Sequence, residues 1–359
     1  MRKTLFVIPS ILVISGLIFW ISGLFQNGSD LATLKYKKNA PGDWFYYQRS
    51  YPAGDIPYDK FFGAMEEKKV MEQMDNPTSA LNWVPNGPYN IGGRITAIAV
   101  NPSNPDIIII GAAAGGIFKT TNGGANWVAK TDELPSLSVG ALVMHPSNPN
   151  IIYCGTGEGN SAIDVYPGFG VLKSTDMGET WVLSGLTDAL HIPSMDIHPL
   201  NPNIVYASVM AFRSFGQNKG IYKSTNGGVN WARVLFVSDS TSGVDVKVSP
   251  DDLNIVYAAM WERIRTPPSI SKTGGISSGL YRSSNGGANW QQLGVSNGIP
   301  ASSSTTGRIS IAVARSNPNY VYSIFKTTTG NNISGIYKST NKGLNWTTMS
   351  MSGVSSSGF

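Results

Sequence analysis

One twelve-residue motif occurs five times along the chain, and this repetition constrains the fold more than any other feature. The five repeats read GIFKTTNGGANW, GVLKSTDMGETW, GIYKSTNGGVNW, GLYRSSNGGANW and GIYKSTNKGLNW. Their final tryptophans lie 54, 50, 59 and 56 residues apart. A second recurring segment precedes each motif, as in AVNPSNPDIIII and DIHPLNPNIVYA. A period of about 50 residues that carries several short strands predicts a propeller or a solenoid.

Each repeat contains four strand candidates. In the first repeat they are ITAIAV, DIIIIGAA, GIFKTT and NWVAK, separated by turns rich in asparagine, proline and glycine. Four consecutive antiparallel strands form one blade of a β-propeller. The sequence therefore predicts an all-β fold over residues 81–359, namely a β-propeller of four-stranded blades with five blades present.

The ring of blades is predicted to be incomplete. Five blades end near Thr348, and the segment LNWVPNGP at Leu81–Pro88 has the pattern of an outer fourth strand without its three companion strands. Such a strand normally completes the last blade of a closed ring. We therefore expect an open arc with unpaired edges, and a chain that is a fragment of a longer protein.

The turn inside each motif follows the pattern Ser/Thr-x-Asp/Asn-x-Gly-x-Thr/Asn-Trp, and we call it the repeat turn. Its Asp or Asn side chain accepts backbone hydrogen bonds, its glycine permits positive φ, and its tryptophan packs on the sheet. Four of the five repeats carry the neutral amide of Asn, which holds cations poorly, so we predict a structural role with no metal and no cofactor. The predicted structural residues are Asn122, Asp176, Asn226, Asn285, Asn341, Trp127, Trp181, Trp231, Trp290 and Trp346.

Charge and cysteine content exclude some classes of function. Only 14% of residues are charged, and the net charge is +5, to which Arg2 and Lys3 of the N-terminal leader contribute. The rest of the chain has little basic excess, so we predict no nucleic-acid partner. The single cysteine, Cys154, lies in an apolar run and is interpreted as a small buried residue.

The N terminus is predicted to direct export. An uncharged apolar run extends from Leu5 to Phe25, directly after two basic residues. The run is long enough to cross a bilayer and no clear cleavage site follows it, so residues 1–25 fit either a signal peptide or a signal anchor. Both alternatives place the rest of the chain in the secreted or cell-surface compartment, and the second attaches it to a membrane.

Residues 26–80 are predicted to form an N-terminal arm. We expect an extended aromatic segment around Trp44–Tyr47, followed by one short helix over Asp59–Met74, where apolar residues recur at helical spacing. The aromatic side chains suit packing on the main domain, and a ligand platform is the alternative.

With five repeat turns in register between Trp83 and Trp346, the chain resembles the Asp-box (BNR-repeat) propeller proteins. This group includes sialidases, the sortilin ectodomain and two-propeller xyloglucanases. The segments GPYNIGGRITAIAVNPSNP, GTGEGN and AAMWERIR look most like secreted bacterial members, sortilin-like or glycosyl-hydrolase-like. Such members commonly carry a C-terminal type IX secretion signal, which these 359 residues do not contain. The resemblance implies that the repeat turn is scaffolding on the face opposite the ligand mouth.

Function is therefore expected in the loops that differ between blades. In an up-and-down blade, the connection from strand two to strand three opens on the same face as the connection to the next blade. Residues in these connections should meet at one mouth of the central channel and bind a glycan, a peptide or a protein partner. The candidate ligand-binding residues are Arg94, Glu158, Asn160, His191, Trp261, Glu262, Arg263 and Arg308.

The alternative function is a glycoside hydrolase, xyloglucanase-like or sialidase-like, with Glu158 and Glu262 as its carboxylate pair. The resemblance argues against this alternative, because the position that matches the catalytic Asp of the xyloglucanases is Ala113 here. Sialidases need three arginines and a Tyr/Glu pair, and only Arg94 and Arg308 are suggestive. The sequence therefore favours a binding module without a confident catalytic residue.

Overall fold

The computed structural model describes residues 41–52, 56–74, 92–160, 165–211, 218–266, 270–328 and 332–353. The apolar leader and the predicted outer strand at Leu81–Pro88 lie outside these ranges. Within the ranges, none of the helices has the length and apolar character that crossing a membrane requires.

Five four-stranded antiparallel sheets follow one another along the chain, and each is formed by one sequence repeat. We number them blades 1 to 5. The strands of blades 1 to 3 are β1 Ile95–Val100, β2 Ile108–Ala112, β3 Gly116–Thr120, β4 Val128–Ala129, β5 Val139–Met144, β6 Ile152–Thr156, β7 Val171–Ser174, β8 Val182–Leu183, β9 His191–Ile197, β10 Val205–Met210, β11 Gly220–Ser224 and β12 Ala232–Leu235. The predicted all-β propeller with five four-stranded blades is confirmed.

Blade 4 differs from the others by an inserted hairpin. The strands of blades 4 and 5 are β13 Thr241–Ser249, β14 Asp252–Glu262, β15 Ile264–Thr266, β16 Ile270–Lys272, β17 Gly279–Ser283, β18 Gln291–Gln292, β19 Thr306–Val313, β20 Val321–Thr327, β21 Ile333–Ser339 and β22 Trp346–Thr348. The strands β15 and β16 pair only with each other. The long connection between β14 and β17 is therefore partly a hairpin, which begins two residues after the end of β14.

The blades form an open arc. The first strand of each blade packs on the first strand of the next, from β1 through β5, β9 and β13 to β19. Within the described residues, β19 and β1 form no comparable contact. Each of the four junctions has its own apolar cluster, because a blade with two apolar faces buries them only against its neighbours.

The repeat turn is held by the same hydrogen bonds in every blade. In blade 2, the Ser174 hydroxyl donates to Asp176 Oδ1 at 2.7 Å and accepts from the Gly178 N–H at 2.8 Å. Asp176 Oδ1 also accepts from the Thr180 N–H at 2.9 Å. Asn122, Asn226, Asn285 and Asn341 accept the equivalent backbone bond through their amide oxygens. Asn can replace Asp in the turn because these bonds need an oxygen acceptor and no charge.

The repeat-turn tryptophans differ in burial from blade to blade, although all five belong to the same motif. Trp346 is 4% exposed and Trp127 is 39% exposed, while the other three are half-buried. The difference follows from what each ring touches. Trp231 of blade 3 packs on the cluster between blades 2 and 3, and its Nε1 donates to the Ser184 carbonyl of blade 2 at 2.8 Å. Trp127 lies in blade 1, which has no preceding blade among the described residues.

The described part of the N-terminal arm, residues 41–52 and 56–74, contains two helices, α1 (Pro41–Ser50) and α2 (Tyr58–Met74). The predicted helix is present, but the extended conformation expected for the aromatic segment is wrong. Pro41 suits the first position of a helix, and the basic Arg49 in the last turn complements the helix dipole. The Arg49 guanidinium lies 4.9 Å from the centre of the Tyr166 ring, so the arm contacts the loop after β6.

The cross-blade contact of Trp231 predicts a measurable difference between two equivalent tryptophans. We expect Trp231→Ala to lower the free energy of unfolding by about 3 kcal/mol, because it removes a packed ring and a hydrogen bond to blade 2. Trp127→Ala is the matched control and should cost about 1 kcal/mol, since its ring has no preceding blade to contact. Urea denaturation of both variants measures this. Equal losses would show that the contact with the preceding blade contributes nothing.

Candidate binding site at the channel mouth

The site begins with an ion pair between blades 1 and 2. Arg94 lies just before β1, and Glu158 follows β6 by two residues. Arg94 Nη1 is 2.6 Å from Glu158 Oε1, and Arg94 Nη2 donates to Glu158 Oε2 at 2.7 Å. The Glu158 side chain is buried, whereas that of Arg94 is 51% exposed. A two-bond pair of this kind fixes both side chains and leaves one edge of the guanidinium facing solvent.

A glycine positions Glu158 at the end of its strand. Gly157 has φ of +79°, and a Cβ at this position would lie 1.9 Å from the Leu190 carbonyl oxygen. Only glycine fits this position, because the backbone has positive φ and the Leu190 carbonyl leaves no room for a Cβ where the chain turns toward blade 3. The Glu158 N–H then donates to the Ser138 hydroxyl at 3.0 Å, which holds the backbone of Glu158 against blade 2.

Two further predicted residues contact Glu158. Asn160 Nδ2 donates to Glu158 Oε1 at 2.7 Å. The ring of His191, the first residue of β9, is buried, and its Nδ1 donates to the Glu158 carbonyl oxygen at 3.0 Å. Burial lowers the His191 pKa to about 4, although the bond to Glu158 acts in the opposite direction. His191 is therefore neutral near pH 7 and supports the loop rather than supplying charge.

Arg308 extends the site from blade 5 to blade 2. It lies near the start of β19, and its Nη1 donates to the Gly159 carbonyl oxygen at 3.4 Å. Its guanidinium is 5.8 Å from the centre of the Trp261 ring. Burial lowers the Arg308 pKa, and the Asp245 carboxylate partly offsets this effect. Among the described residues, no carboxylate lies within ion-pair distance of Arg308.

Trp261 supports two arginines. Its indole Nε1 donates to the Thr273 carbonyl at 2.8 Å, which fixes the ring beside the inserted hairpin. The Arg263 guanidinium is 5.5 Å from the ring centre and donates to the Ser271 hydroxyl at 2.9 Å. Because the ring is buried between these groups, it contributes cation–π contacts to both guanidiniums rather than an open stacking platform.

Glu262 forms a separate polar group within blade 4. It accepts an ion-paired hydrogen bond from Lys272 Nζ and a bond from the Ser277 N–H at 3.1 Å. Burial acts to raise the Glu262 pKa, but the bonds from Lys272 and Ser277 outweigh it and leave the pKa below its usual value. Glu262 has no hydrogen bond to Glu158 or Arg94 in the described part of the chain.

The structure thus joins seven of the eight candidates, in two groups of direct contacts that the Gly159 carbonyl links: Arg94, Glu158, Asn160 and His191, and Arg308, Trp261 and Arg263. We call this set the mouth cluster, and it draws on all five blades. Lys272, Thr273 and Ser277 also belong to the region but were not predicted, and only the length of the blade 4 loop signalled them. No group of His, Cys, Asp or Glu side chains suited to a metal ion occurs within the described ranges.

Comparison with known proteins shows the fold. No protein-family profile matches the chain. The chain is 26% identical to xyloglucanase Xgh74A of Acetivibrio thermocellus over 222 residues, which is 56% of this chain and 26% of that enzyme. An ancestral GH74 enzyme superposes with a TM-score of 0.57 at 23% identity, covering 77% of this chain and 33% of the enzyme. The GH74 enzyme of Niastella koreensis gives 0.49 at 20% identity, covering 71% and 38%.

The chain therefore spans a minor part of each of these proteins, 26% of the xyloglucanase and 33% of the ancestral enzyme. At these identities the likeness shows a β-propeller of four-stranded blades, and the activity of this chain is a separate question.

The buried His191 predicts a pH dependence of stability. In the unfolded chain its pKa is about 6.5, and in the folded protein it is about 4. Between these values the unfolded state binds more protons, so the free energy of unfolding should fall as the pH drops through this window, by roughly 3 kcal/mol at most.

His191→Gln is the variant that isolates this effect. His145 and His198 also have pKa values lowered by burial, and their contribution is common to both proteins. Urea denaturation at several pH values should show a weaker decline for the variant. Identical declines would mean that His191 is not protonated differently in the two states.

Proposed function

We propose that this chain is an exported β-propeller module that binds a ligand carrying a carboxylate, on a glycan or a peptide, at its channel mouth. The observation that carries the proposal is Arg308, a largely desolvated guanidinium that contacts the Trp261 ring and a backbone carbonyl and has no carboxylate partner in the described chain. A half-buried guanidinium with no carboxylate at ion-pair distance is costly, because the Asp245 carboxylate offsets only part of its lost solvation, and an anionic ligand reduces that cost.

The rest of the mouth cluster supports the same class of ligand. Arg94 is held by Glu158 yet keeps one edge exposed, so it can donate to a second carboxylate or to hydroxyl groups. The exposed Asn160 adds an amide that can donate and accept. Because Glu158 already neutralises Arg94, a ligand carboxylate is best placed to pair with Arg308, whose charge the Asp245 carboxylate offsets only in part.

Export and membership of the Asp-box group are part of the proposal. The leader supports export through its two basic residues and the apolar run Leu5–Phe25. The shared hydrogen bonds of the five repeat turns support Asp-box membership. Determination of the N-terminal residue of the protein recovered from the medium and from membranes would decide between a cleaved signal peptide and an anchor.

Arg308→Gln should weaken binding of the carboxylate ligand about 10- to 100-fold, because a charge-assisted hydrogen bond contributes about 1.5–3 kcal/mol. Arg315→Gln is the matched control, since Arg315 is exposed after the other end of β19. Calorimetry with uronic-acid and sialic-acid oligosaccharides, neutral xyloglucan oligosaccharides, and acidic and neutral peptides measures the effect. Equal effects of the two substitutions, or binding of neutral ligands only, would contradict the proposal.

The alternative is glycoside hydrolysis, which the similarity to a xyloglucanase favours. The contacts of the two carboxylates do not suit hydrolysis. Arg94 and Asn160 already bind the Glu158 carboxylate oxygens. A general acid needs a raised pKa, whereas the pKa of Glu262 is lowered. We expect no turnover of xyloglucan or sialosides. Turnover that is lost in both Glu158→Gln and Glu262→Gln would replace the binding proposal by a hydrolase.

A further inference from the structure

A cavity of about 540 Å³ lies between the first strands of blades 2 to 5, at the ends of these strands that lead into the second strands. In β9, His191 of the mouth cluster is the first residue, and Ile197 of the cavity is the last. These two positions are about 20 Å apart along an extended strand. The cavity is therefore distinct from the mouth cluster, and its volume is typical of small-molecule sites.

The walls of the cavity are mostly apolar and come from internal junctions between blades. Val143, Met195 and Ile197 belong to the apolar cluster between blades 2 and 3. Val248 belongs to the cluster between blades 3 and 4, and Ile311 to that between blades 4 and 5. All five side chains are buried. Such walls stabilise a ligand that buries apolar surface against them.

One carboxylate, that of Asp196, lies in this apolar wall. The side chain is half-buried, its Oδ2 accepts from the Val248 N–H at 2.9 Å, and its Oδ1 accepts from the Ile197 N–H at 3.0 Å. A carboxylate offers about four acceptor sites, so further donors can bind to it. Burial raises the Asp196 pKa, although the charges of Lys247 and Arg315 act in the opposite direction.

The two cationic residues of the cavity do not pair with Asp196. Lys247 Nζ is 2.9 Å from Asp245 Oδ1 and donates to the Ser194 hydroxyl at 3.1 Å. Arg315 is exposed in the turn after β19. Among the described residues, no cation lies within ion-pair distance of Asp196. Asp196 therefore retains acceptor sites toward the cavity, whereas Lys247 already has an anionic partner.

We infer that this cavity binds a ligand with an apolar body and an ammonium group, and that Asp196 pairs with the ammonium. The buried side chains of the wall enclose the apolar body, and the half-buried carboxylate accepts a charge-assisted hydrogen bond, which is stronger there than in bulk water. A free amine and the N-terminal residue of a peptide share this chemistry. The inference is independent of the proposed function, because the residues differ and the ligand charge is opposite.

The experiment is an NMR titration of the full chain, with methionine labelled with 13C at its methyl group. The Met195 signal reports on the cavity, and the Met195→Leu variant identifies it. Hexylamine, hexanol and hexanoate share one apolar body. Hexylamine should shift the Met195 signal and bind at least about 10-fold more tightly than hexanol, because only the ammonium forms a charged hydrogen bond. Hexanoate should leave the signal unchanged.

Two further comparisons test the apolar wall and the source of the ammonium. Butylamine should bind about 10-fold more weakly than hexylamine, because it buries two fewer methylene groups. Leucyl-phenylalanine amide should lose binding when its N terminus is acetylated. Tighter binding of this peptide than of hexylamine would assign the ammonium to a peptide N terminus, and weaker binding would assign it to a free amine.

Asp196→Asn should weaken hexylamine binding about 10-fold or more and abolish the preference for hexylamine over hexanol. Asn keeps an oxygen that can accept from the Val248 N–H, and circular dichroism melting establishes that the variant is folded. Asp106→Asn is the matched control, since Asp106 is exposed in blade 1, which does not line the cavity. This control should bind hexylamine like the unmodified chain.

Arg308→Gln separates this site from the mouth cluster, because it should leave hexylamine binding unchanged whether or not the mouth binds a carboxylate. The inference is overturned if hexylamine does not shift the Met195 signal, or if hexanol binds as tightly. It is also overturned if Asp196→Asn binds hexylamine like the unmodified chain, or if Arg308→Gln abolishes this binding.

Discussion

The packing of each repeat turn on the preceding blade is the contact on which the rest of the molecule depends. A four-stranded blade with two apolar faces is not stable alone, so its neighbours supply the burial. A cationic side chain adds direction to this packing, because the Lys or Arg in the third strand of one blade donates to a carbonyl in the repeat turn of the next. The repeated motif therefore encodes two surfaces at once, a donor in its third strand and an acceptor in its turn.

The same packing assembles the mouth cluster. The first strands of successive blades pack on one another, and Arg94, His191 and Arg308 all contact the segment Glu158–Gly159 although they are far apart in sequence. The loop after β6 then adds Glu158, and the end of β14 adds Trp261. The contacts between blades and the mouth cluster use different residues, so the mouth cluster can change without loss of the scaffold.

Prediction from sequence succeeded where local chemistry decides the structure. The repeat period, the alternating strand patterns and the turn residues predict five four-stranded blades, and β1 has the bounds that the segment ITAIAV indicates. Prediction failed where the burial or conformation of a residue depends on which other element packs against it. Trp127 and Trp231 belong to the same motif, yet one is exposed and the other packs on a neighbouring blade. The helix at Pro41–Ser50 and the hairpin β15–β16 were missed because their aromatic and proline-containing segments fit several conformations.

The sequence by itself determined the repeating unit of the fold. This unit has four strands and a turn held by Ser or Thr with Asp or Asn. The alternating direction of its strands also predicts that the variable loops emerge on one face. These follow from hydrogen bonds and side-chain periodicity within a few residues. Only the tertiary structure decided the chemistry of the mouth. It paired Glu158 with Arg94 and Glu262 with Lys272, and it placed Arg308 beside Trp261 with no described carboxylate at ion-pair distance. Such choices depend on distances of a few ångströms between different blades, which the order of residues along the chain does not specify.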